Sequence, residues 1–171
     1  EEIDEGDISK SGDERSIAAT YAQAYEGGFN RPLETILKDK DANPVSKQNF
    51  EYDTAGNLIK DIVLIYNPIT QTSNNAVTQY TYDSFGNLTS TINALGSIVI
   101  TDYETNFYAY PEKVTNSLGH FIQYTYEPKF GVVKSVIDSN GHTSTTIYDS
   151  LGRVTQLKNA NNQIVTAYTY P

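Results

Sequence analysis

Tyr124-Thr-Tyr-Glu-Pro-Lys-Phe-Gly131, Asp138-Ser-Asn-Gly-His142 and Tyr148-Asp-Ser-Leu-Gly-Arg153 follow one another and decide the fold. Two kinds of turn alternate in them. One follows a tyrosine and an acid, in the order Tyr-Asp/Glu-x-x-Gly. The other has no leading tyrosine and is built from Asn, Asp and Gly. Between the turns lie short runs of Thr, Ile, Val, Tyr and Ser, residues that suit a pleated, half-buried surface. Turns arrive too often to leave room for a helix between strands.

Working outward, the unit repeats. Tyr52-Asp53 with Gly56 and Asn57, and Tyr82-Asp83 with Gly86 and Asn87, are clean upstream copies of the tyrosine turn closed by Gly152 after Tyr148-Asp149. Tyr82, Tyr103, Tyr126, Tyr148 and Tyr170 lie 21, 23, 22 and 22 residues apart. Gly131 belongs to the Tyr126 turn. The intermediate turns sit at Gly96, Gly119 and Gly141, and the spacing predicts a fourth within residues 159–163. Self-similarity at this period signals a repeat architecture. Each repeat holds two strands and two turns, so the expected fold is all-β: an antiparallel meander of hairpins forming a twisted, curved sheet. Asn140-Gly141 is the strongest short hairpin signal, and Gly141 is expected at positive φ. The aspartate after each tyrosine can accept backbone N–H bonds inside its own turn.

Successive motif tyrosines lie two strands apart, about 9.6 Å at the usual strand spacing. Tyr126 and Tyr148 therefore cannot stack directly, and a residue of the intervening strand is expected between them. Within Tyr124-Thr-Tyr126 the two tyrosines share a face and the threonine takes the other.

Upstream the pattern loosens. Residues 1–15 form an acidic leader expected to be mobile, and residues 16–171 the sheet domain. The spacing of Asp4, Gly6, Asp7, Gly12 and Asp13 does not follow a calcium loop. Residues 16–24 carry helix-favouring alanines, but Tyr21, Gln23 and Tyr25 alternate, which favours strand. Residues 25–32 read as a turn, 33–37 as a strand and 38–44 as a polar turn. Strands follow at 48–52, 59–66 and 76–82, with a longer loop at 67–75.

The chain has 171 residues, enough for one domain with a core. Its net charge of −9 argues against nucleic acid or an anionic membrane surface as partner. The absence of Cys removes disulfides and thiolate chemistry. No apolar run is long enough to span a bilayer, and no signal peptide is visible. A first residue other than Met suggests a fragment or a processed product. The 14 tyrosines suit a sheet face whose rings pack while their hydroxyls stay wet.

The three clean motifs, together with Val114-Thr-Asn-Ser-Leu-Gly-His120 and Val136-Ile-Asp-Ser-Asn-Gly-His142, resemble the RHS, or YD-repeat, family, especially the B-type components of bacterial toxin complexes. The resemblance spans residues 25–171. It implies a strip of β-sheet that spirals into a hollow shell, as in teneurins, and in bacteria one that encloses a toxic polypeptide. A secreted or cell-surface location is implied with it. The family's closing segment, rich in Pro, Asp and Gly and bearing self-cleaving aspartates, has no match here, and no variable toxin domain follows. Neither autoproteolysis nor toxicity is carried over. The repeats are too few, by the family's measure, to close a shell. Implied partners are the remaining shell or a second copy, met at open edge strands, and an enclosed polypeptide.

No constellation of catalytic residues stands out, and neither a metal nor a cofactor is expected. Asp53, Asp83 and Asp149 recur by repetition, which makes them architectural rather than a hydrolytic pair. His120 and His142 follow turn glycines 22 residues apart and lack a recurring third ligand. No phosphate loop, nucleophile elbow or dinucleotide fingerprint is present. The expected role is non-enzymatic. The alternative is a surface adhesin or carbohydrate-binding module, in which tyrosines beside Asn and Asp would bind glycans.

Overall fold

A computed structural model describes residues 3–4, 15–21, 31–67 and 72–171. Residues 25–30 of the turn expected over 25–32, the end of the 16–24 segment and most of the acidic leader lie outside the described residues. Among those described there are 14 strands and no helix. The chain divides into two compact units, Glu1–Thr81 with Thr91–Gly96, and Tyr82–Ser90 with Ser97–Pro171.

In the first unit, β1 (Ile3–Asp4), β2 (Ser16–Tyr21), β3 (Pro32–Lys38), β4 (Pro44–Tyr52), β5 (Leu58–Asn67) and β6 (Thr72–Tyr82) pair antiparallel in sequence order. The alanine-rich stretch is strand through Tyr21 because Ile17, Ala18 and Ala19 pair with Leu37, Ile36 and Thr35. Pro44 opens β4 and pairs with Lys38, a place where its missing N–H costs little. The loop expected over 67–75 is shorter than the composition suggests. Asn74 and Asn75 belong to β6, opposite Ile65 and Leu64. Cross-strand pairing overrides the weak strand preference of asparagine.

β7 (Leu88–Ile92) falls at the division. In the second unit β8 (Ile98–Tyr103), β9 (Pro111–Asn116), β10 (Phe121–Glu127), β11 (Val132–Asp138), β12 (Thr143–Tyr148), β13 (Val154–Lys158) and β14 (Ile164–Ala167) again pair in order. The protein is thus an all-β antiparallel meander. Pairing register puts Val114, Ile122, Tyr124, Val136 and Leu157 on one face of this unit. Lys113, Gln123, Ser135, Thr145 and Lys158 lie on the other.

Register slips by one residue at each of four motif tyrosines, between Glu51 and Tyr52, Asp102 and Tyr103, Thr125 and Tyr126, and Ile147 and Tyr148. The residue left over on the partner strand is Ile59, Glu112, Lys134 or Thr155. Such bulges bend the strand and re-aim the unpaired side chain.

The expected core is absent. Among the described residues no apolar side chain is buried. Among the described residues each strand packs on its neighbours in the sheet and no second layer covers a face, so no apolar side chain goes beyond partial burial. Leu95 is 91% exposed and Leu118 79%, both at turn tips rather than under the sheet.

Candidate functional site

The turns come first, because they carry the repeated motif. In the Tyr52 turn the Asp53 N–H donates to the Asn57 carbonyl (2.9 Å), and the Gly56 N–H donates to the Asp53 carbonyl (3.0 Å). Turns opened by Asp39, Asp83, Asn116, Asp138, Asp149 and Asn159 close with the same two bonds. The residue before the closing position is left-handed: Gly56, Gly86, Gly119, Gly141 and Gly152, but Ala42 and Asn162 in two turns. This is a three-residue hairpin loop ending in a left-handed residue. The turn in residues 159–163 falls where the repeat spacing puts it.

The leading side chain completes the loop. Asp149 Oδ1 accepts from the N–H groups of Leu151 and Arg153, each 2.9 Å away. Asp83 does the same with Phe85 and Asn87, and Asp138 with Asn140 and His142. The second oxygen meets the side chain four residues on. Asn57 donates to Asp53, Asn87 to Asp83 and Arg153 to Asp149 at 2.7–2.9 Å. His142 Nδ1 takes this place 3.2 Å from Asp138 Oδ2. The two turn classes separated by sequence therefore share one hydrogen-bond scheme. An asparagine carbonyl and an aspartate carboxylate accept the same N–H groups, so the acid is not what distinguishes the classes. Among the described residues no three His, Asp, Glu or Cys side chains gather as metal ligands.

These bonds set the charge of the loops. Asn57 lowers the pKa of Asp53, and Asn87 that of Asp83. Backbone N–H groups of Asn43, His142 and Arg153 come first for Asp39, Asp138 and Asp149, whose pKa values are also lowered. A folded pKa below the unfolded value of about 3.9 means stabilisation that is complete above that value. It is lost as pH falls through the lower folded values. The urea midpoint is expected to hold steady from about pH 7 to 5 and to drop below about pH 4, with Asp149→Asn making the drop smaller. A midpoint level down to about pH 2 would remove the turn carboxylates from the account.

What distinguishes the tyrosine turns is the tyrosine. Tyr148 of β12 donates its hydroxyl to the Val133 carbonyl of β11 at 2.6 Å. Val133 is itself the register partner of Tyr126. Tyr126 donates to Pro111, the partner of Tyr103, at 2.7 Å. Tyr170 donates to Val154, the partner of Tyr148, at 2.8 Å. Tyr52 donates to Pro32 at 2.9 Å and Tyr103 to Leu88 at 3.2 Å. The β11–β12 pairing ends at Ser135 opposite Thr145. Beyond it the tyrosine side chain spans the gap that backbone bonds leave. Each of these five tyrosines is thus a latch from one hairpin to the hairpin before it. Burial pushes the hydroxyl pKa of Tyr52, Tyr103 and Tyr126 up.

The turns on the tyrosine side also lean on one another. Tyr108 stacks on Phe85 at 4.6 Å, and Asn87 donates to the Tyr108 carbonyl at 2.6 Å. Tyr110 lies over Gly131 and Phe130 over Gly152, so close that a Cβ on either glycine would meet the ring. Lys129 donates to the Ser150 carbonyl at 3.1 Å, and Arg153 caps the Tyr170 ring at 4.3 Å. In the first unit Arg31 covers Gly56 and Tyr52. The opposite edge uses serine. Ser117 accepts from the Ile98 N–H and donates to the Ile98 carbonyl, and Ser139 does the same at Phe121. Sequence reasoning missed both devices. Their signal is an aromatic or cationic residue 21–25 positions before a turn glycine, and a serine after the leading Asn or Asp of a turn that has no tyrosine before it.

Two turns depart from the scheme. In the Tyr126 turn the Phe130 and Gly131 N–H groups both donate to the Glu127 carbonyl, at 3.1 and 2.9 Å. Glu104 opens a longer loop, its N–H bonded to the Tyr110 carbonyl at 3.0 Å, with Tyr108 left-handed at φ 54°. The Glu104 carboxylate accepts from the N–H groups of Asn106, Phe107 and Ala109. Burial opposes its ionisation, but these donors outweigh it and lower its pKa. The loop closes a cavity of about 190 Å³ against β10, lined by Glu104, Phe107, Tyr110, Glu112, Tyr124 and Tyr126 among others.

Comparison with known proteins finds a family model over part of the chain and solved structures of similar fold. Residues 67–98, which contain the Asp83 and Asn93 turns, match the family model described as RHS Repeat. The chain carries an RHS repeat there. No curated protein matches. The Tc holotoxin pore of Photorhabdus luminescens is similar in fold, with 13% identity over 92% of this chain and 10% of that one, at a TM-score of 0.58. A TcdB2–TccC3 crystal structure matches at 12% identity over 92% of this chain and 12% of that one, with a TM-score of 0.39. The chain spans about a tenth of the length of these solved chains.

Proposed function

We propose that the chain is a non-enzymatic wall segment of an RHS-type shell, one that encloses or carries a toxin polypeptide in a secreted or cell-surface bacterial assembly. The observation that carries this reading is the bare sheet. Among the described residues nothing is buried, yet the strands are locked to one another by hydroxyl latches and leaning turns. A globular domain spends its apolar face on its own core. A wall needs lateral cohesion and leaves its faces to other chains. The fold likeness to the Tc holotoxin supports the reading, as does the RHS repeat at 67–98. The mechanism is containment: neighbouring hairpins bury each other's edges, and the strip grows by nearest-neighbour contacts.

The test is limited proteolysis of the full-length gene product. A polypeptide outside the repeats is expected to resist protease while the wall is intact. It is expected to become digestible when residues 72–171 are deleted. Equal digestion with and without these residues would overturn containment.

A further inference from the structure

The cavity under the 104–110 loop is not explained by the repeat. Other tyrosine turns close within five residues, whereas here the chain runs on to place Phe107 and Tyr110 beside β10. Tyr110 stacks on Tyr126 with ring centres 4.9 Å apart. Phe107 meets Tyr110 edge-on at 6.2 Å, and Tyr124 lies 6.5 Å from Tyr126. Four aromatic rings therefore wall one small space. Two carboxylates complete it. Glu104 is fixed in place by backbone N–H groups. Glu112 is the unpaired residue of the bulge opposite Tyr103, the position at which a side chain is re-aimed. Ile59, Lys134 and Thr155 hold that position in other repeats, so the acid is particular to this one. Among the described residues Glu112 has no hydrogen-bond or ion-pair partner, and neither carboxylate meets a lysine or arginine.

We propose that this cavity receives one cationic side chain, an arginine or lysine of a partner polypeptide, held between the aromatic rings and the Glu104 and Glu112 carboxylates. The ring faces carry negative potential and attract such a cation. The carboxylates supply the opposite charge, and the chain's net charge of −9 draws basic segments toward it. Volume selects the occupant. At about 190 Å³ the space lies below the roughly 300 Å³ at which small-molecule pockets begin. It suits a single side chain better than an oligosaccharide. The cavity has this chemistry whether or not the sheet walls a shell.

The experiment titrates the whole chain with the peptide acetyl-Gly-Arg-Gly-amide and follows the NMR shifts of the Phe107 and Tyr124 rings. Saturable binding at about millimolar Kd is expected at low salt, weakening as salt is added. The neutral citrulline peptide is expected to bind at least about fivefold more weakly. Glu112→Gln and Tyr124→Leu are each expected to weaken the arginine peptide about fivefold, while Glu51→Gln leaves it unchanged. Glu112 is exposed and unpartnered, so E112Q tests the site even if Tyr124→Leu disturbs the fold. Absence of saturation overturns the proposal, as does equal binding of the citrulline peptide. Binding of chitobiose in place of the arginine peptide would do so too, and would make the cavity a sugar site.

Discussion

Tyr126→Ala is expected to lower the free energy of unfolding by about 3 kcal/mol. Three contributions add. The hydroxyl bond to the Pro111 carbonyl, 2.7 Å long, is worth about 1 kcal/mol. The stack on Tyr110 at 4.9 Å adds about 1 kcal/mol beyond its area. The half-buried ring contributes a further 1 kcal/mol or so through apolar area removed from water. Tyr126→Phe keeps the ring and should lose only about 1 kcal/mol. The difference between the two variants, read from urea unfolding, separates latch from packing. A loss below about 1 kcal/mol for the alanine variant would mean that the tyrosine does not join its hairpin to the one before.

The latch explains why the sequence was easier to read along the chain than across it. Turn positions were legible because their chemistry is local. A leading Asp or Asn, a glycine three residues on and an Asn, Arg or His at the fourth position all bond within five residues. The partner of Tyr148 was not legible, because it is a backbone carbonyl 15 residues away, and a carbonyl has no sequence signature. The requirement that something of the intervening strand lie between Tyr126 and Tyr148 followed from strand spacing alone, and Val133 fills it.

One reading went astray for a physical reason. A length of 171 residues suggests a core. In a single layer the apolar residues are spent beside one another instead, and none is buried among the described residues. The two kinds of turn differ in the leading tyrosine, as read, but share one loop geometry. Asn116 and Asp149 hold identical loops, and the tyrosine, the serine and the leaning ring distinguish the edges. The cavity was invisible in the sequence because it needs the 104–110 loop, the bulge at Glu112 and Tyr124 together. Only the pairing register brings these into contact.

Gly152→Val is expected to cost about 2–3 kcal/mol, and Gly141→Val about 1–2. Both glycines sit at φ +81°, where a β-branched residue is strained. They differ in their surroundings. Nothing lies within 4 Å of a Cβ built on Gly141, whereas one on Gly152 meets the Phe130 ring at 3.0 Å. The Gly141 variant therefore reports backbone strain alone. The Gly152 variant adds displacement of the ring that joins the Tyr126 turn to the Tyr148 turn. The excess loss at Gly152 should fall in Phe130→Ala, where no ring opposes the new side chain. Urea unfolding of the four proteins forms a double-mutant cycle whose coupling measures the turn-to-turn contact. Equal losses at the two glycines, with no coupling to Phe130, would leave the leaning turns as neighbours that add nothing to cohesion.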